Sequence, residues 1–369
     1  MKVLFVFGTR PEGIKMAPII KEIQKRKNLE CYTCVTGQHR EMLDQVLEIF
    51  DIEPDYDLNI FKKGQSLTDV TTKTLLGLEG ILDELKPDIL LVQGDTTTVF
   101  AAALAAFYKK IKIGHVEAGL RSGNLYSPYP EEANRKLTGV ISNYHFAPTE
   151  SNRQNLIREG YDEKNIFITG NTVIDALKYS VREDFVFDDE ILNDIDYNRD
   201  VVLLTAHRRE NWGKPMEDIF KAIRRVVLEK ENLEIVFPRH LNPIVREAAE
   251  KYFADLDRVH LIEPLSYLPF SNLMARVKFV VTDSGGVQEE APALGKPVLV
   301  LRNETERMEG VEAKTAKLVG TKEQDVYESI VALLEDKDLY DEMARAVNPY
   351  GDGHAAEKIV DVLEGMIWF

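Results

Sequence analysis

The sequence predicts an α/β protein of two doubly wound, Rossmann-like domains facing across a cleft, and three observations carry that expectation. Short apolar runs alternate with helical patterns along most of the 369 residues, the rhythm of parallel strands joined by crossover helices. The runs end repeatedly in polar or glycine-bearing loops, where open α/β sheets bind ligands. The rhythm resumes after residue 200, in a chain too long for one ordinary core.

Taken in order, residues 2–7 read as the first strand and Gly8-Thr9-Arg10-Pro11-Glu12-Gly13 as its loop, leading to a helix through Ile19, Ile20 and Ile23. Pro18 should lie near the start of that helix or kink it. Arg10 and Lys15 follow the strand's carboxyl end and are placed to face an anion, although taken alone they fit two solvated cations better. Residues 31–36 form the next strand, followed by a helix over 42–50. Ser66 and Asp69 resemble a capping box for a helix ending near Leu85. The apolar run 89–92 is a buried parallel strand, ending at Gln93-Gly94-Asp95 before the Ala-rich helix 99–108. The following strand, 111–116, ends at Glu117. Two successive strands thus end in carboxylates. Asp95 could be a helix cap, a role that Glu117, before Ala-Gly, does not fit. Glu131 opens a later helix, where acids suit the dipole in any case. Strands 144–147 and 166–169 complete an N-terminal domain over 1–171, and residues 172–200, acidic from Glu183 to Asp200, are expected to be a junction.

The second half gives strands over 201–205, 234–237, 259–262, 278–282 and 298–301, forming a C-terminal domain over 201–353. The terminal helix, 354–369, is expected to pack back on the first domain. Asp283-Ser284-Gly285-Gly286 followed by the helical pattern 287–294 reads as strand, tight loop and helix. Glycines without Cβ atoms and free N–H groups at a helix start suit a phosphate, though the two glycines alone fit a plain turn about as well. Glu290, one helical turn on, could accept hydrogen bonds from the two hydroxyls of a ribose. Together these features describe a nucleotide site.

Composition narrows the function classes. With 44% hydrophobic and 29% charged residues, the chain has the make-up of an ordinary globular protein. A net charge of −16 disfavours nucleic-acid and anionic-membrane surfaces. No apolar run approaches the roughly 20 residues that span a bilayer, so a cytoplasmic protein is expected. Cys31 and Cys34, the only two cysteines, sit inside a strand at a spacing that points them to opposite faces, which favours buried reduced thiols over a redox pair. The Asp-x-Asp pairs Asp55/Asp57 and Asp194/Asp196 lie away from strand ends, and no His/Cys cluster has metal-ligand spacing. Arg10 stands where a dinucleotide fingerprint needs its second glycine.

Six ordered motifs can be read together: Gly8-Thr9-Arg10-Pro11-Glu12, Gln93-Gly94-Asp95-Thr96-Thr97, His115-Val116-Glu117-Ala118-Gly119-Leu120-Arg121, Pro130-Glu131-Glu132-Ala133-Asn134-Arg135, His207-Arg208-Arg209-Glu210-Asn211 and Asp283-Ser284-Gly285-Gly286-x-Gln288-Glu289-Glu290. In these the chain resembles the non-hydrolysing UDP-N-acetylglucosamine 2-epimerases over nearly its whole length. The resemblance implies a glycosyltransferase-B fold, a homodimer, and interconversion of UDP-N-acetylglucosamine and UDP-N-acetylmannosamine without metal or nicotinamide, serving polysaccharide or glycan synthesis. It implies acid/base carboxylates at Asp95, Glu117 and Glu131, with His207 at the sugar–phosphate junction. Diphosphate ligands are implied at Arg10, His207 and the Ser284-Gly285-Gly286 backbone, and further ligand contacts at Lys15 and Arg307. Leu265 and Phe270 match positions around uracil, and Glu290 matches the ribose ligand. Some bacterial members bind a second substrate molecule as activator. Of that allosteric pattern Gln38, His39 and His240 are present, but Gly64 stands at the arginine position, which implies weaker or altered activation. A transferase of the same fold, a hydrolysing epimerase and a nucleotide-sugar sensor are the competing readings.

Overall fold

The computed structural model describes residues 1–38 and 40–366 and divides into two compact units, residues 1–179 with 350–369 and residues 180–349. In the first unit the chain runs β1 (Lys2–Phe7), α1 (Arg10–Ile23), β2 (Glu30–Val35), α2 (Arg40–Ile49), β3 (Tyr56–Asp57), α3 (Leu67–Leu85), β4 (Ile89–Gln93) and α4 (Thr97–Tyr108). It continues β5 (Lys112–Val116), α5 (Glu131–Ile141), β6 (Tyr144–Ala147), α6 (Glu150–Arg158), β7 (Ile166–Ile168) and α7 (Thr172–Ser180). The strands form one parallel sheet of seven, ordered β3-β2-β1-β4-β5-β6-β7. Its central strands are apolar on both faces, with β4 wholly buried, as a sheet covered by helices on both sides requires.

The second unit begins with α8 (Glu190–Asp194), β8 (Asp200–Thr205), α9 (Lys214–Glu229), β9 (Leu233–Pro238), α10 (Pro243–Phe253), β10 (Val259–Ile262) and α11 (Tyr267–Arg276). It ends with β11 (Phe279–Thr282), α12 (Gly285–Ala293), β12 (Val298–Val300), α13 (Met308–Glu312), β13 (Ala316–Leu318), α14 (Glu323–Glu335) and α15 (Lys337–Arg345). Its six parallel strands are ordered β10-β9-β8-β11-β12-β13. Phe220, Phe237 and Phe253 meet at the centre of its core with ring centroids 4.9 to 6.4 Å apart.

The last helix, α16 (Ala355–Gly365), belongs to the first unit and packs on α1. Buried Asp175 of α7 accepts the Ala355 and Ala356 N–H groups at 3.2 and 2.9 Å, satisfying two donors of the α16 start. Arg26 pairs with Asp361 and Glu364 further along the same helix.

Several expectations need correction. Helix α1 starts at Arg10, so Pro18 lies in its interior and not near its start. Residues 172–200 hold α7 and α8 and are not a plain junction. Elements β3 and α13 through α15 with β13 arise where none is predicted. Cys34 is buried but Cys31 only half-buried; burial, with the nearby Asp55 charge and for Cys34 also Asp57, pushes both thiols up to about 12. Among the described residues, no helix is long and apolar enough to cross a membrane.

Candidate active site

Each sheet reverses its strand order once, between β1 and β4 in the first unit and between β8 and β11 in the second. Such switch points open a crevice at the carboxyl ends of the strands. The predicted site residues group around these two corners.

At the first corner, β4 and β5 lie in register from Ile89 opposite Lys112 to Gln93 opposite Val116, so Asp95 and Glu117 leave adjacent strand ends. Glu117 has φ of 63°, a left-handed conformation that a non-glycine residue adopts at a cost. The cost is offset by contacts from several elements: Lys15 of α1 donates to its Oε1 at 2.5 Å, Gln93 of β4 donates to Oε2, and Asn171 after β7 donates to Oε1 at 3.2 Å. The carboxylate is therefore held from three sides. Asp95 is fixed differently. The Arg135 guanidinium grips its Oδ2 at 2.7 to 2.9 Å, and the Asn134 amide donates to its backbone carbonyl at 2.9 Å. The cap of α4 is Thr96 and not Asp95, since the Thr96 hydroxyl accepts from Val99 N–H. Asn134 and Arg135 belong to α5, whose first residue is Glu131, so the Asp95 clamp also fixes the helix start that carries Glu131. Glu131 is partly exposed. Its neighbour Glu132 is buried and accepts from the Ser122 and Gly123 N–H groups and from Arg135.

Beneath this corner, His115 donates from Nε2 to the Gly94 carbonyl at 2.7 Å, supporting a turn with φ of 81°. Burial lowers the His115 imidazole to about 4 and, on the next strand, His145 to about 3, so both are neutral. Arg10 opens α1, and among the described residues no hydrogen bond or ion pair occupies it. Gln38 accepts from the Thr98 hydroxyl at 2.8 Å. His39 lies outside the described residues.

At the second corner one carboxylate organises the loop. Asp283, fully buried after β11, accepts at Oδ2 from His207 N–H (2.8 Å), Arg208 N–H (2.9 Å) and the Asn211 amide (3.1 Å). Asn211 also donates to the Leu301 carbonyl at 3.1 Å, tying the His207 loop to β12. The His207 ring lies with Nδ1 3.1 Å from Asp283 Oδ1 and stacks on His240 with centroids 5.7 Å apart. Burial alone would raise the Asp283 carboxyl, but the His207 ring and the two backbone N–H groups outweigh it and hold the acid below its usual range.

Ser284 is the N-cap of α12 and Gly285 and Gly286 form its first turn, where free N–H groups and the helix dipole favour an anion. A Cβ on Gly285 would come within 2.9 Å of the Arg307 guanidinium, which packs directly over the glycine. Glu289 fixes that guanidinium through a 2.7 Å contact to Nε. Glu290 reaches back toward Gly286, its Oε1 3.5 Å from where a Cβ would stand. Leu265 and Phe270 flank the start of α11, both partly buried.

In the sequence, Gln93, Asn134, Arg135 and Asp283 stand inside the motifs without assigned roles, and Asn171 is only the last residue of the expected first domain. The available signal was position. Asn171 follows β7 much as Glu117 follows β5, and Asp283 follows β11 directly.

A family model for UDP-N-acetylglucosamine 2-epimerase matches residues 21–364. The chain is 56% identical to the Bacillus subtilis UDP-N-acetylglucosamine 2-epimerase over 363 residues, 98% of this chain and 95% of that protein. It is 53% identical to the Escherichia coli K12 enzyme over 371 residues, 99% and 98% of the two chains. Among solved structures, the Neisseria meningitidis UDP-GlcNAc 2-epimerase bound to UDP-GlcNAc aligns with a TM-score of 0.88 at 51% identity, covering 99% of this chain and 100% of that one. The Methanocaldococcus jannaschii enzyme in complex with UDP-GlcNAc and UDP aligns at 0.76 with 36% identity, covering 99% and 100%. The two parallel-sheet units are the glycosyltransferase-B-like architecture of these neighbours.

Proposed function

The chain belongs to the UDP-N-acetylglucosamine 2-epimerase family and is an isomerase; from that premise we propose how its two corners divide the reaction. A carboxylate removes the proton from carbon 2 of UDP-N-acetylglucosamine while the bond from carbon 1 to the diphosphate oxygen breaks on the opposite face. The electron pair of the C–H bond becomes the C1–C2 double bond of 2-acetamidoglucal, and UDP takes the pair of the broken C–O bond. UDP then adds back to carbon 1 as a proton reaches the other face of carbon 2, giving UDP-N-acetylmannosamine. Such an elimination needs a base and acid at carbon 2 and a strong anion site for departing UDP.

Asp95, Glu117 and Glu131 supply the acid and base. The setting of Glu117 carries this reading, because a carboxylate kept in a strained backbone conformation and held by Lys15, Gln93 and Asn171 is a preorganised group. His207, Arg10, Arg307 and the Ser284-Gly285-Gly286 backbone hold the diphosphate, with Lys15 as a further contact. Glu290 takes the ribose hydroxyls, and Leu265 and Phe270 flank uracil. The first unit is thus the acid/base domain and the second the UDP-binding domain. With Gly64 in place of an arginine, a second substrate molecule at Gln38, His39 and His240 is not required for turnover. Hyperbolic kinetics, and a reverse reaction that runs without added UDP-N-acetylglucosamine, are the expected outcome; an absolute requirement for that activator would contradict it.

The chain works as a cytoplasmic homodimer that supplies activated N-acetylmannosamine for surface polysaccharide or other glycan synthesis. Supporting the dimer, adjacent helices α3, α4 and α5 expose Leu76, Tyr108 and Val140, each at least 67% accessible. The reaction is tested by proton NMR of UDP-N-acetylglucosamine with the enzyme in D₂O. New UDP-N-acetylmannosamine carrying deuterium at carbon 2 is expected. Free N-acetylmannosamine plus UDP would establish a hydrolysing enzyme instead, and unchanged, undeuterated substrate would overturn the proposal.

A further inference from the structure

We propose that Asp283 is the positioning residue for His207, holding its ring as the Nδ1–H tautomer so that Nε2 is the nitrogen offered to the substrate. The inference rests on the reading above that His207 meets the sugar–phosphate junction. It starts from donor and acceptor counting. Oδ2 of Asp283 already accepts three donors, His207 N–H, Arg208 N–H and the Asn211 amide, at 2.8, 2.9 and 3.1 Å. Oδ1 is buried and has no well-aligned hydrogen bond, and the group beside it is His207 Nδ1 at 3.1 Å. A buried carboxylate oxygen without a donor is costly, and an ionised carboxylate can only accept. The ring nitrogen that faces it must therefore carry the proton.

The arrangement fixes the ring as well as the tautomer. One carboxylate holds both the backbone N–H and the side chain of His207, so the side chain's first torsion is pinned from two ends. The stack on His240, with planes 19° apart, restrains the ring face. The His207 side chain remains 40% exposed while Asp283 is fully buried, so only the far edge of the ring is available to a ligand. Asp283 itself touches no substrate in this scheme; it acts through His207, as the buried aspartate of a Ser-His-Asp triad acts through its histidine.

Replacing Asp283 by asparagine makes a specific prediction. The three donors at Oδ2 require the amide oxygen there, so the amide nitrogen must turn toward His207 Nδ1. That nitrogen then has to accept, and the ring flips to the Nε2–H tautomer. The experiment uses full-length protein labelled with ¹⁵N-histidine in alkaline buffer, where imidazoles are neutral, with the His207 signals assigned by their loss in His207→Gln. Two-bond ¹H–¹⁵N correlations should show His207 as Nδ1–H in the wild type and as Nε2–H in Asp283→Asn. Turnover should fall roughly 10²- to 10⁴-fold while UDP affinity by calorimetry changes less than about threefold. A wild-type ring in the Nε2–H form overturns the proposal, whether or not the variant folds. A flipped tautomer with unchanged turnover overturns it too, provided His207→Gln is crippled. If His207→Gln turns over at the wild-type rate, the role given to His207 fails first, a result separate from the tautomer.

Discussion

The two switch corners each bury one carboxyl group beneath the loop that leaves the first strand of its sheet, and the two groups are held in opposite states. Glu12 in the first corner is 2% exposed; its Oε2 accepts from Gly8 N–H at 2.7 Å, and its Oε1 is buried without a hydrogen-bond partner. Burial pushes this acid up to about 7, against the lowering effect of neighbouring Thr96, Gly8 and Thr9. Asp283 is buried as deeply yet held below the usual range, because three N–H donors and the His207 ring converge on it. Depth of burial therefore does not by itself decide the charge of a carboxyl group; both acids have donors around them, and the difference is the His207 ring that faces Asp283 and has no counterpart at Glu12. The first corner keeps a near-neutral acid under its loop. The second keeps a fixed anion whose donors shape a loop for a ligand anion.

The largest expected effect is on the donor-rich side. Asp283→Ala leaves buried donors without an acceptor and should lower the unfolding free energy by about 3–5 kcal/mol, measured by denaturant titration. A loss under about 1 kcal/mol would break the comparison. On the other side, Glu12→Gln should sharpen it through pH. With its folded value near 7 above the ordinary 4.5, Glu12 costs nothing below pH 4.5. Above that the unfolded chain releases the proton and the folded one keeps it, so stability is lost as pH rises to 7. The stability of Glu12→Gln relative to wild type should thus improve by about 3 kcal/mol between pH 4.5 and 7.

Wild type and Glu12→Gln must be compared as a difference, because His115 and His145 act in the opposite direction. Both rings are lowered by burial, to about 4 and about 3 from 6.5. The unfolded chain takes up protons below 6.5 while the folded one does not, so each protein alone also loses stability on acidification. A gap between the two proteins that does not change with pH would contradict the state assigned to Glu12. A smaller effect is expected at Gly285→Ala. Its Cβ would displace only the end of the flexible Arg307 side chain, so stability should move by less than about 1 kcal/mol. UDP affinity should nevertheless fall roughly tenfold, about 1.4 kcal/mol. Unchanged affinity would remove Arg307 from the anion site.

Much of this was legible in the sequence for a physical reason. Parallel strands buried on both faces are continuous apolar runs, and their loops begin where the runs stop, as at Gln93-Gly94-Asp95 and Val116-Glu117. The short strands β3 and β13, of two and three residues, carry too little pattern to be read. Pro18 marks no helix start, because α1 already begins at Arg10, and the flanking Met16, Ala17, Ile19 and Ile20 are all buried. The partners of Glu117 come from Lys15, Gln93 and Asn171, separated by up to 102 residues. Sequence spacing does not show such pairings, nor the positive φ they stabilise. Asp283 was visible as a letter before two glycines, but its role depends on the β8–β11 pairing that places His207 beside it.

The division of labour between the corners is tested most directly by Glu117→Gln, measured for UDP affinity by calorimetry and for deuterium entry at carbon 2 in D₂O. The account predicts UDP affinity within about threefold of wild type and no detectable deuterium at carbon 2 over the time in which wild type reaches equilibrium. Deuterium entering at the wild-type rate would contradict it, and would remove the first corner from the proton transfer.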